Sequence, residues 1–241
     1  KGEGSGKSDR IYKNSMMVLD ILANNNWERP VYFAVTVSPE NFLNLTPYFQ
    51  MDGLAYRFVP IETPDTQYGE TGRIDADKLY DKMMNQFRWG NISDPKVYLD
   101  ETNLRLLTHF RSNFSRLAGA LNLEGKKDSA VQVLDRAFES IPVYQLSLNY
   151  MDVSFVEQYY NAGAFDKGNE LAEKIFSASR EELNYYLSFP KKLQSSLERE
   201  LRIRMYTIDS LSRLAKAYEQ TELSEKMETQ IKEAFPHLLM E

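Results

Sequence analysis

A chain of 241 residues that is 42% hydrophobic and 27% charged is long enough for a sizeable core and has the composition of a folded protein. Its 29 Lys and Arg against 35 Asp and Glu leave a formal charge of −6, which offers no broad basic face to nucleic-acid phosphates and excludes that class of partner. Cysteine is absent, so disulfides, thiolate metal sites and thiol nucleophiles are excluded together.

Residues 1–9, KGEGSGKSD, are rich in Gly and Ser and read as a flexible linker or a remnant of expression. The run GEGSGKS approaches a phosphate-binding loop, but Gly2 stands one residue too close to Gly6, and no strand precedes it to aim backbone amides at a phosphate. A chain that opens this way, without an initiator Met, is expected to be a piece of something larger. No stretch approaches the ~18 apolar residues of a membrane-spanning helix, and the start has no signal-peptide pattern.

From Asn14 the residues Met17, Val18, Ile21 and Leu22 form a helical apolar stripe, with Asn14 or Ser15 as the expected cap and residues 24–26 as a left-handed stop. Residues 31–37 form a strand, apolar on both faces except at Thr36 and therefore expected to be covered on both sides. Ser38, Pro39 and Glu40 start a helix that Pro47 keeps short. Residues 54–59 (LAYRFV) are a second strand ended by Pro60, and 60–73 a loop. Asp77 is the expected cap of a helix whose apolar face runs through Tyr80, Met83, Met84 and Phe87.

Beyond about residue 100 the strand signals cease and an internal repeat emerges. Laid without a gap, residues 115–138 match 212–235 at Ser115/Ser212, Arg116/Arg213, Leu117/Leu214, Ala118/Ala215, Ala120/Ala217, Ala137/Ala234 and Phe138/Phe235. Leu121 then meets Tyr218, and Leu134 meets Ile231. This helix-turn-helix unit resembles a tetratricopeptide repeat. In the copy at 111–142, Phe114, Leu117, Ala118 and Leu121 lie on the first helix, Gly125 makes the turn, Ala130, Leu134 and Ala137 lie on the second, and Pro142 closes it. The small residues allow close helix approach. A middle copy at about 149–180 keeps Tyr159, Gly163, Phe165, Leu171 and Ala172 but has Gly168 where the small Ala belongs. The last copy carries Glu222 at the turn and Met227 for the second-helix Ala, as expected of an atypical terminal copy. A helical insertion at about 181–204 precedes it, where irregular stacking is expected.

Chemistry-bearing clusters are sparse. The two histidines, His109 and His237, are far apart, and without Cys they assemble no zinc set. No Gly-x-Ser-x-Gly elbow exposes a serine. Glu62, Asp65, Glu70, Asp75 and Asp77 surround a loop, but their spacing matches no calcium loop and reads as solvated. Tyr144, Tyr150, Tyr159, Tyr160, Tyr185 and Tyr186 either line a concave groove for a peptide or sugar or fill helix contacts, the second being favoured. Asn44, Asn91 and Asn113 open N-x-S/T triplets of the kind that arise by chance.

The segments MVLDILANNNWERPVYFAVTV (17–37), GLAYRFVPIET (53–63) and GRIDADKLYDKMMNQFRWGN (72–91) resemble the soluble C-terminal region of domain-of-unknown-function family 2723, a large membrane-protein family of Bacteroidetes related to the animal transmembrane protein O-mannosyltransferases. The resemblance runs over about 15–120, rests on the NNW-x-RP-[VI]-YFA core and the GLAYR-x-VP block, and is followed by helical repeats in many members. It implies transfer of a sugar, mannose from a lipid-linked donor, to protein by a polytopic GT-C enzyme whose carboxylate base lies in the transmembrane half. That half is missing from this sequence, so the resemblance assigns no catalytic residue, cofactor or metal ligand to the chain, and the fragment itself is expected to be non-catalytic.

The expected architecture is α+β, mainly α: a linker at 1–9, a small α/β subdomain with few strands at 10–100, and an all-α tetratricopeptide-like repeat domain at 101–241. The expected role is that of a periplasmic accessory domain at the bacterial inner membrane, joined to it through the missing half, whose repeats bind a protein, a peptide or a glycan acceptor. The alternative is a free-standing helical-repeat scaffold for protein interactions, unrelated to glycosyl transfer. The candidate binding residues are Trp27, Arg29, Tyr56, Arg57, Tyr159 and Tyr160. Arg29 precedes Pro30, which pushes it to an extended conformation with its guanidinium away from the core.

Overall fold

The computed structural model describes residues 12–63 and 71–234. The expected linker at 1–9, with Asp65, Glu70, Phe235 and His237, lies outside them. The chain divides into two compact units, one up to Leu79 and one from Tyr80. The fold is α+β and mainly α: a small antiparallel sheet belongs to the first unit, and the second is built from helices.

In the first unit α1 (Lys13–Asn24) has Tyr12 in the capping position with extended backbone and no side-chain cap bond, so neither Asn14 nor Ser15 caps it. Val18 packs on the aromatic core of the unit. Met16, Met17, Leu19 and Ile21 are exposed, and no residue of α1 is fully buried: only one side of the helix finds cover. The chain then turns through Asn26 and Trp27 at φ +47° and +62°, the left-handed stop expected of the asparagine run.

Three short strands follow, β1 (Tyr32–Ala34), β2 (Phe49–Met51) and β3 (Ala55–Phe58), in the order β1-β3-β2 with both pairs antiparallel. β1 is an edge strand, exposed-buried-exposed, not the doubly covered strand expected over 31–37. The reason is local: the Val37 amide donates to Ala34 O at 3.1 Å, turning the chain before the apolar run can extend. Strand pairing sets Phe33 opposite Tyr56, Tyr56 opposite Met51, and Phe58 opposite Phe49 on one face, and leaves Tyr32, Arg57 and Gln50 on the other. The Pro-started 3₁₀ turn Pro39–Phe42 brings Phe42 to that first face. Phe33, Phe42 and Phe49 form its core, with ring centroids 4.8 Å apart for Phe33 and Phe49 and 5.1 Å for Phe42 and Phe49. Asp75, not Asp77, caps α2 (Ala76–Asp81): its Oδ1 accepts the Lys78 amide at 3.3 Å. Lys78 Nζ stands 2.9 Å from Oδ2, and this partner holds the Asp75 carboxyl below the usual carboxylate range.

The second unit starts earlier than residue 101, because Trp89, Ile92 and Leu99 pack on Leu107, Ile141 and Leu146 and belong to the helical core. Its helices are α3 (Glu101–Leu123), α4 (Lys127–Ser140), α5 (Val153–Ala162), α6 (Phe165–Leu187), the short α7 (Lys191–Gln194), α8 (Glu198–Ala217) and α9 (Thr221–Ala234). Asp100 caps α3, accepting the Asn103 amide at 2.8 Å. Phe114, Leu117, Ala118, Leu121, Ala130, Leu134 and Ala137 are all buried, as the repeat pattern requires. α5 packs on both α3 and α4, and α8 packs on both α6 and α5. Stacking therefore continues through the 181–204 insertion, which consists of the end of α6, a Pro190 corner, the short α7 with the 3₁₀ turn after it, and the start of α8.

The three turns are superimposable bond for bond. The amides of Gly125, Gly163 and Glu219 donate to Asn122 O, Tyr160 O and Lys216 O. Those of Lys126, Ala164 and Gln220 donate to Leu121 O, Tyr159 O and Ala215 O, and those of Ala130, Gly168 and Ser224 to Lys126 O, Ala164 O and Gln220 O. The left-handed residue is Gly125 at φ +76°, Gly163 at +82° and Glu219 at +61°. Leu121 thus corresponds to Ala215 and not Tyr218, Gly125 to Glu219 and not Glu222, and Ala130 to Ser224 and not Met227. The gap-free alignment of the first and last copies is three residues out of register.

Candidate functional site

The candidate residues fall into three places. Tyr159 and Tyr160 are 4% and 2% exposed, inside the repeat core. Their hydroxyls donate to Asp135 Oδ1 at 2.9 Å and to Asn169 Oδ1 at 2.7 Å. Burial raises both phenols, that of Tyr160 to about 12, with the Asp135 carboxylate adding to the rise at Tyr159. These two rings join helices rather than line a groove; Tyr144, Tyr150 and Tyr185 are exposed. Tyr56 sits in the aromatic face of the sheet, stacked on Phe49 at 5.6 Å.

Trp27, Arg29 and Arg57 are brought together. They line a cleft of about 290 Å³ with Asn25, Glu28, Pro30, Val31, Phe58, Val59 and Pro60. Each wall has a local cause. The left-handed turn after α1 throws Trp27 across the sheet, where its indole lies parallel to the Phe58 ring, 5.5 Å away at 8°. Asn25 Nδ2 donates to Arg29 O at 2.8 Å, closing the loop that carries Arg29. The Phe58 amide donates to Val31 O at 2.9 Å, tying Pro30 and Val31 to β3. Arg57 and Phe58, on opposite faces of the sheet, both line the cleft at the end of β3, while Tyr56 is held away by its stack on Phe49. On Arg57's side of the sheet, Tyr32 donates to Asp52 Oδ2 at 2.9 Å.

A second groove, of about 640 Å³, runs along α6 against the 143–148 loop, with Val143, Leu148 and Ala178 as apolar lining and Glu170, Glu173, Glu181 and Glu182 as its acidic lining. Glu170, Glu173 and Glu182 are ion-paired with Lys174, Lys226 and Arg204. Of the acidic loop, Glu62 is exposed and Asp75 serves as a helix cap. His109 is exposed on α3. Among the described residues no group of three or more His, Asp or Glu could hold a metal ion. Asn113 is 5% exposed, out of reach of any glycan-adding enzyme in the folded chain.

Sequence reasoning missed the most buried charge. Arg111 is 1% exposed; its Nη1 donates to Leu146 O at 2.8 Å, and its Nη2 to Ser147 O at 3.1 Å and Asp152 Oδ2 at 2.8 Å. The same Oδ2 accepts the Asn149 amide at 2.8 Å. The signal was present: Arg111 stands among Leu107, Phe114 and Ala118 on one helical stripe, where a charge needs a buried partner.

No helix of the described residues is long and apolar enough to cross a membrane. No curated protein and no solved structure matches the chain. One family model does, that of TMEM260-associated domain 2, over residues 5–78, less than a third of the chain. The match covers the Trp27 cleft and stops short of the repeats, and neither family 2723 nor tetratricopeptide repeats are matched.

Proposed function

We propose that this chain is the extramembrane accessory part of a membrane O-mannosyltransferase-like protein. The observation that carries the reading is the TMEM260-associated domain over residues 5–78, a domain linked to such proteins. In this reading the chain lies on the periplasmic side of the bacterial inner membrane, contributes no catalytic group, and uses its stacked helical repeats to hold a protein, peptide or glycan acceptor near the membrane-embedded chemistry. The groove along α6 is the surface offered to such an acceptor, and Glu181, the glutamate of its lining with no ion pair among the described residues, favours a basic segment. The test is deletion of the gene whose product carries this chain, followed by mass spectrometry of exported proteins. Loss of O-linked hexose, restored by the intact gene and only in part by one encoding Glu173→Lys with Glu181→Lys, supports the reading; unchanged glycosylation overturns it.

A free-standing repeat scaffold is the second reading, favoured by the closed core of the second unit, whose three turns repeat the same hydrogen bonds. Recovery of the native protein wholly outside the membrane fraction, with glycosylation intact in the deletion strain, selects it.

A further inference from the structure

We propose that the Trp27–Arg29–Arg57 cleft is a binding site for an oxyanion carried on a ring, a phosphate- or carboxylate-bearing molecule of about the size of a monosaccharide. Three independent features converge on it. The first is conformational: Trp27 holds φ +62°, a region that bulky L residues avoid, and yet it remains 58% exposed. Strain retained at an exposed residue points to use of the side chain rather than to packing. Phe58 stacks on the indole, and the residue's exposure leaves aromatic surface for a ring.

The second feature is charge. In a chain of net charge −6, Arg29 and Arg57 line one cleft with no hydrogen bond or ion pair to a carboxylate among the described residues. Glu28 lines the same cleft without pairing with either, so the site keeps an excess of positive charge. Guanidinium groups present paired donors that match the two oxygens of a phosphate or carboxylate. The third feature is size and wall chemistry. About 290 Å³ between Pro30, Val31, Val59 and Pro60 lies at the small end of ligand sites, room for one ring and one anion but not for a folded peptide. The two guanidiniums take the oxyanion and Trp27 takes the ring. None of this depends on the glycosyltransferase reading.

The test uses the intact chain labelled with ¹⁵N, whose two tryptophans give two indole N–H signals, assigned by Trp27→Phe. Glucose 1-phosphate, glucuronate, methyl glucoside and inorganic phosphate are titrated separately. The expected result is saturable movement of the Trp27 signal with the two charged rings, at least about fivefold weaker binding of the neutral ring and of phosphate alone, and roughly tenfold weakening by Arg29→Ala or Arg57→Ala. Arg57→Lys, which keeps the charge on the central strand, checks that the loss is not unfolding and retains intermediate affinity. No movement of the Trp27 signal with any charged ring, or movement equal for charged and neutral rings and indifferent to both arginine variants, overturns the proposal.

Discussion

The Arg111–Asp152 pair joins the first and second repeats, and its removal offers a sharp test of how the helical unit is held. Both side chains are at most 3% exposed and meet at 2.8 Å. Coulomb's law at an effective dielectric of about 20 gives a gross attraction of about 6 kcal/mol. Desolvation of two ions offsets most of it, at several kcal/mol each. The pair as a whole is therefore near neutral, while either half alone is not. Asp152→Leu leaves a guanidinium that cannot shed its charge, with the carbonyls of Leu146 and Ser147 as its remaining partners, and is expected to lose about 5 kcal/mol. Arg111→Met leaves a carboxylate that can take up a proton, and is expected to lose about 3 kcal/mol. Burial already raises the Asp152 carboxyl against the pull of Arg111, and losing the arginine raises it further. A folded-state carboxyl raised above its unfolded value gives stability that is present below the unfolded pKa and lost as pH rises through the folded one. Arg111→Met therefore loses less at pH about 5 than at about 7. Combining Arg111→Met with Asp152→Leu is expected to recover at least about 2 kcal/mol relative to the sum of the singles. Urea unfolding followed by far-ultraviolet circular dichroism measures all four corners. Single losses under about 1 kcal/mol, or additive ones, refute the reasoning.

Other positions carry independent predictions. At Gly168 an added Cβ falls 2.4 Å from Tyr160 Cε1 and 2.6 Å from Cδ1, and the ring cannot retreat because its hydroxyl is bonded to Asn169. Gly168→Ala is therefore expected to destabilise by about 1–3 kcal/mol despite the better helix propensity of alanine, as read by thermal unfolding. Glu219→Gly relieves the left-handed strain at φ +61° and is expected to stabilise by about 0.5–1 kcal/mol, whereas Gly163→Ala, at φ +82°, destabilises by a similar amount. The raised phenols of Tyr159 and Tyr160 contribute stability that is full below pH 10, where the unfolded phenol titrates, and is lost as pH rises toward the folded values. Stability then falls by about 1.4 kcal/mol per pH unit for each buried tyrosine between about pH 10 and 12, and Tyr159→Phe halves that slope in alkaline denaturation.

What the sequence made legible follows from which periodicities carry information. The helices and their buried faces were readable because apolar residues recurring at three and four positions report a face directly. The same property hid the register of the last repeat. A shift of three residues is nearly one helical turn, so Leu117 and Leu121 find apolar partners at either offset, and the identical SRLA strings tipped the choice to the wrong one. Turn geometry resolves it, since only one residue in each copy is left-handed, and in the last copy that residue is Glu219, which carries no sequence mark. The sheet misled in a different way. A run of seven strand-forming residues says nothing of whether its strand lies at an edge, and β1 lost its outer half to a turn.

The cleft was legible in part for a reason that also limits it. Asn26 and Trp27 break the helix, Pro30 fixes the exit, and Arg57 follows Tyr56 in a strand, so sequence alone could say that Trp27 and Arg29 share a turn. It could not say that Arg57 lines the cleft while Tyr56 packs on Phe49, because the neighbours of each are set by pairing with β1 and β2, and β2 has three residues and no distinguishing pattern. Phe58, on Tyr56's face of the sheet, and Arg57, on the other, both line the cleft, which therefore sits where β3 ends and draws side chains from both faces. An indole stacked on Phe58 and two arginines in one lining give the site its preference for a ring that carries charge.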